Sequence, residues 1–148
     1  ADGWVLAAAH NQQYWRKLPY LGVGAGAHGY AAGVRTMNAL APAAYIQRMA
    51  NTAPRAFPRT PATVNATPID AQRDMGETMM MGLRLLQEGV SDDVFTARYG
   101  QSIEAAFPEA LELLSGEGLL AWHNNGTRQL RLTERGMMLG NQVFMEFV

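Results

Sequence analysis

The sequence contains no cysteine. That excludes disulfides, thiolate metal sites and cysteine nucleophiles together. It argues against a secreted disulfide scaffold and makes a cytoplasmic protein the expectation. No apolar run approaches the roughly 18 residues needed to span a bilayer, and the mean hydropathy is -0.13. The opening residues Ala1-Asp-Gly-Trp-Val-Leu6 have no basic run, so they do not read as a signal peptide. They read as the continuation of something upstream. Acids are missing over a long stretch. Between Gly3 and Ile69 there is no Asp or Glu, while Arg16, Lys17, Arg35, Arg48, Arg55 and Arg59 are all basic. From Asp70 onward twelve acids face six arginines. Such asymmetry points either to different partners for the two halves or to composition alone.

Glycine, by contrast, is concentrated. Leu21-Gly-Val-Gly-Ala-Gly-Ala-His-Gly-Tyr30 holds four glycines and one histidine in ten residues. Within it, Gly24-Ala25-Gly26-Ala27-His28-Gly29 matches G-x-G-x-x-G literally. A dinucleotide fingerprint also needs a following helix and an acid about 20 residues on. No acid occurs before Asp70, so that reading is rejected. Two readings stay open: a glycine turn whose backbone groups line a ligand, and a tight buried turn packed on other strands.

At 148 residues, with 48% apolar residues, the chain is of one-domain size and can build a core. Tyr20 to Ala25 reads as a short buried strand and Thr36 to Leu40 as a loop. Pro42 to Met49 reads as a helix with Pro42 in the first turn and Tyr45, Ile46 and Met49 on one apolar stripe. Pro54, Pro58, Pro61 and Pro68 mark an extended linker. Thr67-Pro68-Ile69-Asp70 then suits a helix start. Met75, Met79, Leu83 and Leu86 lie on one face of that helix, and Gly89 stops it. Ser91-Asp92-Asp93 opens a second helix that Gly100 closes. Ser102 opens a third, restarted at Pro108, with Leu111 and Leu114 toward the core. Leu120, Trp122, Leu130 and Leu132 alternate about Asn124-Asn125-Gly126, the signature of a hairpin. Thr133 caps a last helix carrying Leu139, Val143 and Phe147. Helices, then a hairpin, then a further helix give the element order of a winged-helix-like domain.

The remaining chemistry is sparse. His10, His28 and His123 are scattered, and with no Cys they make no metal site. Methionines at helical spacing read as core filler, with Met80 and Met81 flanking that stripe. The recognition helix of a winged helix would be Pro108–Gly116. It carries Glu109 and Glu112 and no base, and only Arg128, Arg131 and Arg135 cluster on the hairpin. DNA binding rests on phosphate neutralisation, so no nucleic-acid partner is expected.

Several stretches, taken together and in order, resemble a known family. They are His10-Asn11…Tyr14-Trp15-Arg16, Tyr20-Leu-Gly-Val-Gly-Ala-Gly-Ala-His-Gly29, Gly33-Val-Arg35, Tyr45-Ile46, Glu77-Thr-Met-Met-Met-Gly-Leu-Arg-Leu-Leu86 and Leu130-Arg-Leu-Thr-Glu-Arg-Gly136. The resemblance is to the C-terminal end of the oxygen-independent coproporphyrinogen III oxidase-like proteins, radical S-adenosylmethionine (SAM) enzymes, and within them to the heme-chaperone branch. It implies a parent whose N-terminal barrel carries a Cys-x3-Cys-x2-Cys motif, a [4Fe–4S] cluster and SAM. It implies a role in porphyrin or heme metabolism. This chain has no Cys, so the motif lies upstream of Ala1 or is absent.

The resemblance further implies that the glycine turn closes the barrel and contacts SAM or a tetrapyrrole. The candidate cofactor-binding residues are Gly24, Gly26, Ala27 and His28, with Arg16 and Arg35 for propionates or the SAM carboxylate. No catalytic or metal-ligating residue is expected in the chain itself. The expected fold class is α+β and mainly helical: terminal barrel strands with a glycine-rich turn over 1–52, a Pro-rich linker over 53–67, and a winged-helix-like domain over 68–148. The expected partners are the missing radical-SAM barrel and a tetrapyrrole, heme or porphyrinogen. The alternative is an interaction module that docks on the barrel or a partner and touches no ligand.

Overall fold

The computed structural model describes residues 9–51, 53–124 and 126–148, with side chains from Asn11 onward. The side chain of His10, and Asn125 of the hairpin turn, lie outside the described residues. Among the described residues there are eight helices and two three-stranded antiparallel sheets. The chain divides into two compact units. Pro19–Asp70 forms one, and Ala71–Val148 together with the chain up to Leu18 forms the other.

In the first unit, β1 (His28–Ala31), β2 (Val34–Asn38) and β3 (Thr63–Pro68) pair in the order β1-β2-β3. Helix α2 (Pro42–Met49) lies between β2 and β3 in sequence. Several expectations fail here. Tyr20–Ala25 is not a strand: Tyr20 alone makes a bridge, to Tyr30, and Leu21 and Val23 are exposed. Thr36–Asn38 is strand rather than loop. Thr63–Pro68 is strand rather than linker. Its prolines misled because Pro68 ends an edge strand, where a missing N–H costs little. The α2 stripe buries nothing, and Ile46 and Met49 are exposed.

The second unit holds α1 (Ala9–Trp15), α3 (Ala71–Gly82), β4 (Val90–Ser91), α4 (Asp92–Tyr99), α5 (Ile103–Ala106), α6 (Pro108–Gly116), β5 (Leu120–Asn124), β6 (Arg128–Leu132), α7 (Glu134–Met138) and α8 (Gly140–Met145). The expected caps are present. Ser91, Ser102 and Thr133 accept from Val94, Ala105 and Gly136 N–H, each such cap being worth about 1 kcal/mol. The hairpin β5–β6 pairs Leu120 with Leu132 and Trp122 with Leu130, and β4 joins the far edge of β6.

Met79, Leu83, Phe95, Ile103, Leu130 and Val143 form the centre of the core. Full burial of each such side chain contributes about 1.5–3 kcal/mol. Helix α3 starts three residues later than expected and ends at Gly82. The helical period is therefore lost before Leu86, which is exposed, and Leu85 is buried instead. The last helix is broken in two at Leu139.

Candidate functional site

The glycine turn is built by four glycines used in two ways. The backbones of Gly24 and Gly26 have φ of 106 and 69, a region closed to most side chains. Gly22 and Gly29 instead permit close approach. A Cβ on Gly22 would overlap the His28 carbonyl, and one on Gly29 would sit 2.7 Å from the Thr36 hydroxyl oxygen. The chain therefore leaves the sheet after Tyr20, turns tightly, and re-enters at His28.

Internal partners take up the polar groups of this turn. A bulge between Met37 and Asn38 interrupts the ladder and re-aims the buried Asn38. Its amide donates to the carbonyls of Gly22 (3.0 Å) and Gly24 (3.1 Å). The Gly24 N–H donates to the Tyr45 hydroxyl, 3.2 Å away. The Gly26 N–H donates to the Ala39 carbonyl at 2.8 Å, and the Ala27 carbonyl accepts from Asn38 N–H at 2.9 Å. Gly24 and Gly26 thus spend their N–H groups on this chain.

The ladder brings two of the sequence candidates together. His28 lies opposite Met37 and Tyr30 opposite Arg35. Cross-strand partners share a face, so His28, Tyr30, Arg35 and Met37 project from the same side of the sheet. Across β2, Met37 faces Asn65 and Arg35 faces Thr67. His28 and Arg35 are exposed, as are Asn65 and Thr67. This face carries one imidazole, one guanidinium, an amide and a hydroxyl, with the Thr67 hydroxyl donating to Asn65 Oδ1 at 3.2 Å. Such a set of hydrogen-bonding groups suits an anionic or carboxylate-bearing ligand. Asn38 and Asn65 were not singled out from sequence, Tyr30 entered only as the end of the glycine-rich stretch, and Thr67, read as a helix start, lies in β3. Their only signal is strand pairing, which the prolines of 53–68 hid.

Arg16 is not in this unit. It follows α1 in the other unit and forms a bidentate pair with Glu88, at 2.6 and 3.3 Å. Those hydrogen bonds push its guanidinium further above its ordinary value. Beside it, Lys17 is buried against Asp74 (2.6 Å) and Glu77 (3.3 Å).

With no cysteine in the chain, the residues present do not fit an iron–sulfur cluster, whose usual ligands are thiolates. Among the described residues no group of three or more His, Asp or Glu is placed to hold a metal. No helix among them is long and apolar enough to cross a membrane.

Residues 69–139 match the HemN C-terminal domain. Over 97% of its length the chain is 35% identical to the heme chaperone HemW of Bacillus subtilis, covering 35% of that protein. It is 32% identical to HemW of Lactococcus lactis over 94% of its length, covering 33% of the relative. The chain thus spans about a third of the length of these curated relatives. A solved structure of coproporphyrinogen III oxidase (HemN) from Escherichia coli, described as a radical SAM enzyme, superposes with a TM-score of 0.59. That match covers 87% of this chain and 28% of the other at 16% identity, a likeness of fold. Residues 69–139 therefore match the HemN C-terminal domain, and nearly the whole chain is similar to part of heme chaperone HemW.

Proposed function

We propose that this chain is the C-terminal part of a radical-SAM, coproporphyrinogen-oxidase-like protein of heme or porphyrin metabolism, closest to the heme chaperones. The observation that carries the reading is the 35% identity to a heme chaperone along 97% of the chain. In this reading residues 19–70 complete an N-terminal barrel that bears the cluster and SAM. The His28–Arg35 face, with the turn at Gly24, Gly26 and Ala27, contacts SAM or a tetrapyrrole carboxylate. The stretch from Gly3 to Ile69 contains no acid, which suits an anionic ligand. The unit from Ala71 is read as winged-helix-like, supported by its order of helices and hairpin and its β4-β6-β5 sheet. The chain alone performs no radical chemistry, because it supplies no thiolate.

The reading requires that the reading frame upstream of Ala1 encode a Cys-x3-Cys-x2-Cys motif. Sequencing that region tests it, and a frame without the triplet overturns it.

A second reading is an interaction module that touches no ligand. It is favoured at the turn itself, where internal partners consume the Gly24 and Gly26 N–H groups. Nucleic acid is disfavoured, because Arg128 on the hairpin is engaged by Glu104 and Asp92. Heme titration of the wild type and of His28→Ala separates the first two readings at this face. Weaker binding in the variant supports ligand contact, and equal binding supports the module.

A further inference from the structure

The unit Pro19–Asp70 is folded around almost no apolar core of its own. Among the described residues, no side chain of the main apolar cluster comes from it. The apolar side chains it does bury are Tyr30, Pro58 and the alanines Ala31, Ala39 and Ala62. Its larger aliphatic ones face outward. Val23 is 86% exposed, Leu40 72% and Ile46 67%, and Met49 is exposed as well. A domain that folds alone gathers such residues around one centre. An outward group of them marks a surface that another surface covers.

These residues are collected about the glycine turn and α2. The Tyr45 hydroxyl accepts from Gly24 N–H at 3.2 Å, which ties the helix to the turn. Leu40, two residues before α2, lies over Gly26: its Cδ2 would stand 3.5 Å from a Cβ placed there. Val23 belongs to the turn itself, and Ile46 and Met49 follow on the helix. Helix α2 has eight residues, no side-chain cap at its N-terminus, and no buried residue. So short a helix is marginal in water and takes its stability from packing an apolar face. The charge around it has one sign. No carboxylate among the described residues pairs with Arg48, Arg55 or Arg59.

We propose that the face formed by Val23, Leu40, Ile46 and Met49 docks on the part of a longer protein that precedes this chain, and that Pro19–Asp70 depends on that contact to hold its fold. The inference rests on the reading of this chain as a C-terminal part, and it names the surface that meets the rest. Length supports the occupant. The chain spans 35% and 33% of the two heme chaperones, which leaves about two thirds of each to supply a covering surface. Charge defines its chemistry: apolar at the centre, with carboxylates at the rim to meet Arg48. A second copy suits the face less well, because a two-fold contact would bring the same arginine to both sides.

The test compares the 148-residue chain with the protein expressed from its longer reading frame, each as wild type and as Ile46→Asp/Met49→Asp. The readouts are trypsin cleavage after Arg55 and Arg59 and binding of anilinonaphthalene sulfonate, a dye for exposed apolar surface. The 148-residue chain is expected to bind the dye and to be cut readily. The longer protein should bind little dye and be cut at least about tenfold more slowly. In the longer protein the double variant should lose that protection. Met138→Asp, an equally outward position in the other unit, should keep it. The altered side chains are exposed, and far-UV circular dichroism checks that each variant folds.

Equal cleavage of the two lengths, or protection that survives the double variant, overturns the docking face and leaves the radical-SAM reading standing. Protection lost in the double variant of a longer protein that has no Cys-x3-Cys-x2-Cys motif does the reverse. A reading frame that begins at this chain overturns both. A self-association of the 148-residue chain that the double variant abolishes, with no added protection in the longer protein, assigns the face to a second copy instead.

Discussion

Lys17 places its ammonium 2.6 Å from the Asp74 carboxylate while its own backbone is left-handed, with φ of 50. The residue ends α1 in the position usually given to glycine, since Lys17 N–H bonds the Tyr14 carbonyl and Leu18 N–H the Gln13 carbonyl. A lysine there accepts about 1 kcal/mol of backbone strain. The compensation is a buried cluster. Its ammonium also meets the Asp74 carbonyl at 2.9 Å and Glu77 at 3.3 Å, at 8% exposure.

Removing that ammonium takes one cation from a nearly dry cluster and leaves Asp74 with Arg98 at 3.1 Å and Glu77 with Arg73 at 3.2 Å. Lys17→Ala is expected to cost about 3 kcal/mol, the lower end of the range for breaking a buried ion pair. Lys17→Gly loses the same pair but relieves the strain, so it should be about 1 kcal/mol more stable than Lys17→Ala. Urea unfolding of the three proteins measures both differences. Equal stabilities for the two variants would remove the strain argument.

The two uses of glycine in the turn separate by mutation. Gly24→Ala meets no atom within 4 Å, so it should cost only the left-handed strain, about 1–2 kcal/mol. Gly22→Ala drives a methyl into the His28 carbonyl and should cost more, since overpacking adds about 1–3 kcal/mol or above. Hydrogen exchange at Tyr30 N–H, which bonds the Tyr20 carbonyl, reports on both. Faster exchange in Gly24→Ala than in Gly22→Ala contradicts this ordering.

Arg128 stands 3.8 Å over the Trp122 ring and grips Glu104 at 2.6 and 3.1 Å. That hydrogen-bonded contact holds the Glu104 carboxyl below its ordinary 4.5. A depressed carboxylate stabilises the fold above its unfolded pKa and loses that contribution as pH falls through the folded value. Glu104→Gln should therefore be less stable than wild type at pH 7 and converge on it in acid below pH 4.5. The pair is at the surface, so the difference should be small and shrink in high salt. Thermal melts across pH and salt give the answer, and a pH-independent gap would rule out an electrostatic origin.

The Tyr99 hydroxyl is shared between Asp74 Oδ2 and the Thr78 hydroxyl, each at 2.7 Å. Burial, first among the causes, raises its pKa above the ordinary 10. A raised folded-state pKa means that stability is intact below pH 10 and is lost as pH climbs above it. Tyr99→Phe should lose about 1–2 kcal/mol at pH 7, yet decline less steeply than wild type above pH 10. Alkaline unfolding curves that run parallel for the two proteins would refute this.

Legibility from sequence followed distance along the chain. The caps at Ser91, Ser102 and Thr133 and the hairpin over 120–132 were readable, because each joins residues a few positions apart. Met75, Met79 and Leu83 were readable as one buried face for the same reason. Leu86 was not, because nothing local announced that α3 would end at Gly82. At the candidate site, the need for four glycines was visible. Their division between positive φ and close approach was not, and neither was Asn38 as the residue that bridges two turn carbonyls.

The sequence by itself determined α4 and α6 of the second unit, the hairpin, the absence of any thiolate and the lack of acids over 3–69. These follow from local hydrogen bonding, periodicity and composition. Only the tertiary structure decided that 63–68 is a strand, that His28 and Arg35 share a face, and that Lys17 meets Asp74 across 57 residues. Such partners are chosen by packing and by the cost of burying an unpaired charge, and neither is encoded in the residues next to them.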